Sequence, residues 1–364
     1  MFIWCNYNAI LLCVKPKKRS IFNIGEEDLE FILGELKTSI VKLRNSKIFI
    51  TGGTGFFGKS ILSGLLHLNL SLNLNIKIFV LSRNPKKFKK KFPEVNKYKD
   101  LFFIEGNVTN FSTIQNGFTH IIHGATEASI EAHQKISDLS EVIIDGTRNI
   151  LNFANEKKIS NILYISSGSV YGKQSTKNFI KVKENSGFYL NSSNFTDTSG
   201  ILKKSAELLC NYWASEAPEK TIKIARCFSF IGPWLPIDSH FAVGNFIKSA
   251  TTNSDIIIHS DGSSLRSYLY TSDLVIWLFK ILLFEKKFLT INVGSDETYS
   301  LYDIAYLLKK LTGKNIKILT ENKPELLSTA YVPNINLAKK NDLKVYTSFK
   351  DSLMKTFKFY KNLR

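Results

Sequence analysis

The stretch KIFITGGTGFFGKSILSGLLHL, Lys47 to Leu68, puts glycines at 52, 55 and 58 between a short β-rich run and an apolar pattern with helical spacing. Glycine lets the backbone turn tightly and brings bare amides and a helix N-terminus against an anion. Alone, the spacing is common. Between a strand and a helix it predicts the pyrophosphate site of a dinucleotide.

Working outward, the same alternation recurs. IKIFVLS (Ile76–Ser82), LFFIEG (Leu101–Gly106), HIIHGA (His120–Ala125) and NILYISS (Asn161–Ser167) read as further strands, with a helix ending near Ala154. An amphipathic helix is expected over Glu26–Leu43, with acids in its first turn. Strands alternating with helices predict a doubly wound parallel sheet, which binds ligands at the carboxyl ends of its strands. Beyond about Phe228 the texture shifts to short strands and loops mixed with helices. The expected organisation is an N-terminal extension and helix (1–45), a dinucleotide-binding domain (46–228) and a smaller mixed α/β lobe (229–364) interleaved with it.

The bulk composition restricts the function classes. The 364 residues carry 49 basic and 31 acidic side chains, a net charge of +18. The lysines are spread along the chain, and no zinc-finger or RNP-like aromatic motif accompanies them, which argues against a nucleic-acid partner. An anionic nucleotide suits the field better. Four cysteines (Cys5, Cys13, Cys210, Cys227) lack metal-site spacing and make no disulfide framework. No metal is expected, and a reduced, cytoplasmic protein is. The start is apolar and then basic, the reverse of a signal peptide, and no segment reaches membrane-spanning length.

The second strand ends VLSRNPKKFKKK. Arg83 stands where an acid would hold the ribose hydroxyls of NAD, and seven lysines follow between Lys86 and Lys99. Arg83 leans towards the 2′-phosphate of NADP, although an arginine can also stack on adenine.

These motifs, with EGNVTN (Glu105–Asn110), HIIHGAT (His120–Thr126), DGTRNIL (Asp145–Leu151), ISSGSVYG (Ile165–Gly172), ARCFSFIGP (Ala225–Pro233), DGSSLRSYLYTSD (Asp261–Asp273) and INVGS (Ile291–Ser295), fall in the order of the extended short-chain dehydrogenase/reductase family, which the chain resembles from about Lys47 to Leu308. The resemblance implies a Rossmann sheet with a substrate lobe, an NAD(P) cofactor (NAD by family habit), a nucleotide-sugar substrate and a homodimer formed through stretches near Ile130–Asn155 and Ser199–Ser215. It assigns the cofactor to Gly52, Gly55, Phe56, Phe57, Gly58, Arg83, Asn107, Val108, Gly124, Ala125 and Lys203. Asn107 replaces a usual Asp at the adenine edge. Ser167 would bond the reacting sugar oxygen, and Lys203 the nicotinamide ribose. Substrate contacts would come from Ser167, Gly168, Ser229 (often Asn in the family), Asn245 and Arg266, with the role of Asp273 left open.

The pattern breaks in SGILKKSAELL, Ser199–Leu209. The family's catalytic tyrosine, four residues before the lysine, is Ser199 here, while Gly200, Lys203 and Glu207 all align. A serine hydroxyl is shorter than a phenol and far less acidic, so it cannot readily replace a tyrosinate base. Tyr189, Glu127 and Glu184 are the candidates to supply the proton transfer instead. Gly168 and Ser169 occupy the positions where dehydratases carry an Asp-Glu pair, which disfavours 4,6-dehydration. The expected activity is therefore epimerisation, decarboxylation or reduction of a nucleotide sugar by way of a 4-keto sugar, in polysaccharide or glycoconjugate synthesis. The alternative is a catalytically impaired member that binds cofactor and sugar as a sensor or assembly partner.

Overall fold

The computed structural model describes residues 21–126, 136–187, 190–238, 241–313, 317–320 and 328–363. Strands β1 (Lys47–Thr51), β2 (Lys77–Ser82), β3 (Leu101–Glu105), β4 (His120–His123) and β5 (Asn161–Ser167) join Thr221–Cys227 and Phe288–Val293 in one parallel sheet. The spatial order is Phe288–Val293, Thr221–Cys227, β5, β4, β1, β2, β3. Helices cover both faces, so these strands read as nearly continuous apolar runs such as IFI in β1 and IFVL in β2. Ile48, Phe49, Ile78, Ile121 and Ile162 are all fully or almost fully buried.

The order reverses between β1 and β4, since β2 and β3 lie on one side and β5 on the other. Sheets of this kind open a crevice at such a switch point. The glycine turn leaves β1 there, and Gly124 leaves β4 beside it.

The smaller lobe combines a four-stranded sheet, ordered Tyr299–Ser300, Leu265–Arg266, Thr329–Tyr331, Gln174–Ser175, with the helices Ala242–Thr252, Leu301–Thr312 and Phe349–Asn362. Interleaving is physical: Phe288–Val293 returns from this lobe to the edge of the large sheet, while Gln174–Ser175 leaves the first half to enter the small one. The first helix runs Glu26–Leu36, shorter than the periodicity suggests. Ser39 closes a tighter turn, with its amide and hydroxyl both bonded to the Leu36 carbonyl, and Ile40–Leu43 continues as a 3₁₀ turn. This helix is part of the core. Leu29, Ile32 and Leu36 pack in the same cluster as Leu274, Val275 and Trp277, and Asp28 accepts from Tyr270 Oη (2.7 Å) and Lys355 Nζ (2.6 Å).

One buried ion pair seats the Thr198–Ser215 helix on the sheet. Glu207, 2 % exposed, takes Arg226 Nη2 at 2.8 Å and Nε at 3.0 Å, and also the Ser166 hydroxyl at 2.7 Å. Arg226 then donates to Tyr171 Oη (2.7 Å), which donates to Asn292 Oδ1 (2.8 Å). Removing one member of a buried pair strands the other charge, at about 3–5 kcal/mol. Glu207→Ala is expected to lower unfolding stability by that amount in a urea titration. Glu285→Ala, which breaks the exposed Lys42 pair, is expected to leave the midpoint unmoved.

Candidate active site

The glycine turn is shaped by backbone crowding. Gly52 has φ +74°, and a Cβ there would lie 2.4 Å from the Gly124 carbonyl oxygen. A Cβ on Gly58 would lie 2.3 Å from the Gly52 carbonyl. The turn can therefore close on β4 only with these residues bare. The Phe56–Ser71 helix starts at Gly55 with no side-chain cap, so its first amides are open to an anion.

Thr51 fixes the rim of the crevice. Its Oγ1 accepts from the amides of Gly124 (3.2 Å) and Ala125 (3.0 Å) and lies 2.8 Å from His123 Nδ1. Thr147 gives its hydroxyl proton to the Ile143 carbonyl (2.6 Å), so His123 Nε2 must donate to Thr147, at 3.1 Å, and Nδ1 must accept from Thr51. Burial, then Lys203, pushes His123 down to about 3, so the ring stays neutral. It is a brace, and it takes no part in proton transfer at ordinary pH.

A groove of about 790 Å³ opens over this turn. Gly52, Gly55, Phe56, Phe57, Arg83, Asn107, Val108, Gly124 and Ala125 all line it; Gly58 lies behind it in the turn. Bare turn, uncapped helix, apolar walls and cationic rim fit an NAD-type dinucleotide. Two lining groups went unread in the sequence. Lys59 follows the turn directly, its Nζ 5.4 Å from the centre of the Trp234 ring and bonded to the Thr54 carbonyl. Burial, then Lys91, lowers it to about 8. Trp234 arrives from the smaller lobe and closes the groove's far side.

Lys203 is buried beneath β5, its Nζ 3.3 Å from the Ile165 carbonyl and 5.0 Å from the Tyr164 ring centre. Burial lowers it to about 8. Ser199 sits one turn earlier in the same helix, half-buried. A Cβ on Gly200 would meet the Ser169 carbonyl at 2.3 Å, so this helix abuts the turn that follows β5. Ser167 ends β5, and its Oγ accepts from the Ser169 amide (3.1 Å). Ser167, Ser199 and Lys203 are thus gathered at one end of β5.

Other expected residues lie elsewhere or are otherwise engaged. Tyr189 and Glu127 lie outside the described residues. Glu184 accepts from the Asn292 amide at 2.9 Å and gives its carbonyl to Arg226; burial raises its pKa. It belongs to the polar network under the site. Asp273, fully buried, takes the amides of Tyr346 (2.8 Å) and Thr347 (2.9 Å), fastening the C-terminal segment. Asn245 is exposed on the Ala242–Thr252 helix, and Ser229 is half-buried with its carbonyl on the Leu269 amide. Arg266 is held by the Thr329 carbonyl (2.7 Å) and hydroxyl (3.0 Å). The strand carrying Thr329 also brings Tyr331 Oη to 3.4 Å from Ser167 Oγ. No sequence signal could have found that pair, 164 residues apart.

Known proteins resemble this chain in sequence and in fold. UDP-glucuronic acid decarboxylase 6 of Arabidopsis thaliana is 26% identical over 298 residues, covering 78% of this chain and 81% of that one. UDP-N-acetyl-alpha-D-glucosaminuronate decarboxylase of Bacillus cytotoxicus is 30% identical over 188 residues, covering 51% of this chain and 56% of that one, so the match spans about half of that relative. Among solved structures, the UDP-glucuronic acid 4-epimerase of Bacillus cereus, bound to UDP-glucuronic acid and NAD, superposes with a TM-score of 0.74 at 22% identity, covering 87% of this chain and all of that one; that likeness is one of fold. The family model described as NAD dependent epimerase/dehydratase family matches residues 48–294, which is most of the chain, and the protein belongs to that family.

Proposed function

We propose that this protein modifies a nucleotide-activated sugar with NAD(P), and that a UDP-linked uronic acid is the class of substrate. The observation that carries the reading is the convergence of the bare glycine turn, Ser167 and Lys203 at the carboxyl ends of β1, β4 and β5. The glycines and the uncapped helix would take the pyrophosphate, Asn107 and Val108 the adenine side, and Lys203 the nicotinamide ribose. Bound there, the nicotinamide supplies reversible hydride transfer at C4 of the sugar.

This chain's own residues bind, orient and keep water out. Ser167 hydrogen-bonds the reacting oxygen. Lys203 adds a positive charge beneath β5 that favours an oxyanion or a phenolate near it. With a 4-keto group in place, a C5 carboxylate becomes a β-keto acid and leaves as carbon dioxide. Gly168 and Ser169 offer no carboxylate pair for removing water, so decarboxylation or epimerisation is favoured over dehydration. The curated decarboxylases among the relatives point the same way. A binding protein without turnover rests on Ser199 alone.

Homodimerisation is part of the proposal. Leu208 and Tyr212 are 70 % and 68 % exposed, one turn apart on the outer face of the Thr198–Ser215 helix. Among the described residues, no helix is long and apolar enough to cross a membrane.

Incubation with NAD and UDP-glucuronic acid in deuterated water is expected to give a product that has lost carbon dioxide or gained deuterium at C5, read by mass spectrometry. Unchanged sugar beside bound cofactor would overturn the reading. Gly52→Val, which forces a side chain into a backbone contact at positive φ, is expected to weaken dinucleotide binding by at least about tenfold, or ~1.4 kcal/mol, by fluorescence titration. Arg83→Ala is expected to weaken NADP by about tenfold and NAD much less, as the loss of one charge-assisted contact implies. Leu208→Glu combined with Tyr212→Glu is expected to give monomers in light scattering.

A further inference from the structure

The helix position that should hold a phenol holds Ser199, yet a phenol stands at the same end of β5. Tyr331 reaches it from the smaller lobe, its Oη 3.4 Å from Ser167 Oγ. The residue is half-buried, and its hydroxyl lies against Ser167 and the Ser169 amide at the end of β5. Its backbone is held on both sides: Arg266 is its partner on one neighbouring strand, and Ala330 before it pairs with Gln174 on the other. The Phe228 ring packs against it with centroids 4.8 Å apart. The hydroxyl is thus presented by a rigid strand in one direction.

Its access depends on Gly168. A Cβ at that position would lie 2.7 Å from Tyr331 Oη and 2.8 Å from the Phe228 ring. Position 168 is also where a dehydratase-type acid would stand. The missing side chain and the incoming phenol are therefore one arrangement: the space that an acid would fill is taken by a hydroxyl from another lobe.

We infer that Tyr331 is the catalytic residue that exchanges a proton with the reacting sugar oxygen, in place of the phenol absent at Ser199. This deepens the proposed function and rests on it. Ser167 Oγ and Tyr331 Oη would both hydrogen-bond the C4 oxygen. As C4 becomes a carbonyl, its C–H electron pair leaves as hydride to the oxidised nicotinamide. Its O–H bond breaks, and the proton passes to Tyr331 phenolate. When the carbonyl is reduced, the phenol returns that proton. Arg266 on the adjacent strand and Cys227 on Thr221–Cys227 are the titratable groups facing Tyr331. Burial pushes the phenol up to about 12, so the phenolate is scarce near neutrality and the oxidising half should speed up with pH. A lysine base at Lys203, lowered to about 8, would level off there instead.

The test uses full-length enzyme with NAD and UDP-glucuronic acid. Tyr331→Phe is expected to cut the rate by roughly 10²–10⁴-fold, the usual value of a positioned acid–base group. Calorimetric binding of UDP should change less than about twofold, since the lost hydroxyl touches the sugar only. The wild-type rate should keep rising above pH 8, and the residual rate of Tyr331→Phe should not. Ser199→Tyr added to Tyr331→Phe should recover part of the rate by restoring a phenol on the helix. An active wild type with an equally active Tyr331→Phe overturns this inference alone, as does a wild-type plateau at pH 8. A wild type with no turnover and no exchange overturns the proposed function, and this inference with it.

Discussion

The Glu207–Arg226 pair is the interaction on which the rest of the site depends. It joins the Thr198–Ser215 helix to the strand beside β5, out of water, with both Glu207 oxygens and all three Arg226 nitrogens hydrogen-bonded. Desolvating two charges is costly, and it is offset only when geometry and secondary bonds are complete. Here Ser166, Tyr171, Asn292 and Glu184 complete it. The result is a fixed floor under Ser167, and a helix whose register puts Gly200 and Lys203 against the end of β5, with Ser199 beside them. Without that floor, neither Ser167 nor Lys203 would have a defined position.

On that floor, close backbone approach does most of the shaping. Gly52, Gly58 and Gly124 let the turn after β1 lie against the end of β4, and Gly200 lets the helix lie against the turn after β5. Gly168 does the same for a side chain, admitting the Tyr331 hydroxyl. Each bare position removes an obstacle and thereby sets where a ligand or catalytic group can come. The three polar residues Thr51, His123 and Thr147 then lock the rim, with the histidine neutral because burial penalises its cation.

Local features were legible in the sequence, and contacts across the fold were not. The five early strands and the glycine turn follow from periodicity and glycine spacing, because both are set by nearest neighbours. Nine of the expected cofactor residues line one groove, since the switch point gathers the strand ends. The Glu26 helix start was legible from its acidic first turn, whereas its end at Leu36 depended on a Ser39 side-chain bond. Arg226, Tyr171 and Asn292 gave no sign of forming one network, being spread over 121 residues. Glu184 looked like a site carboxylate and the role of Asp273 stood open; both are structural anchors, and only the folded packing decides which backbone amides reach them. Tyr331 lies in an unremarkable run, and nothing in its neighbours announces Ser167.

The most direct measurement is a crystal structure with NAD and UDP-glucuronic acid bound. The account expects the dinucleotide over the Gly52–Gly58 turn and the sugar 4-oxygen within hydrogen-bonding distance, roughly 2.5–3.2 Å, of both Ser167 Oγ and Tyr331 Oη. A 4-oxygen held instead by Ser199 and Lys203, with Tyr331 turned away from the sugar, would contradict it.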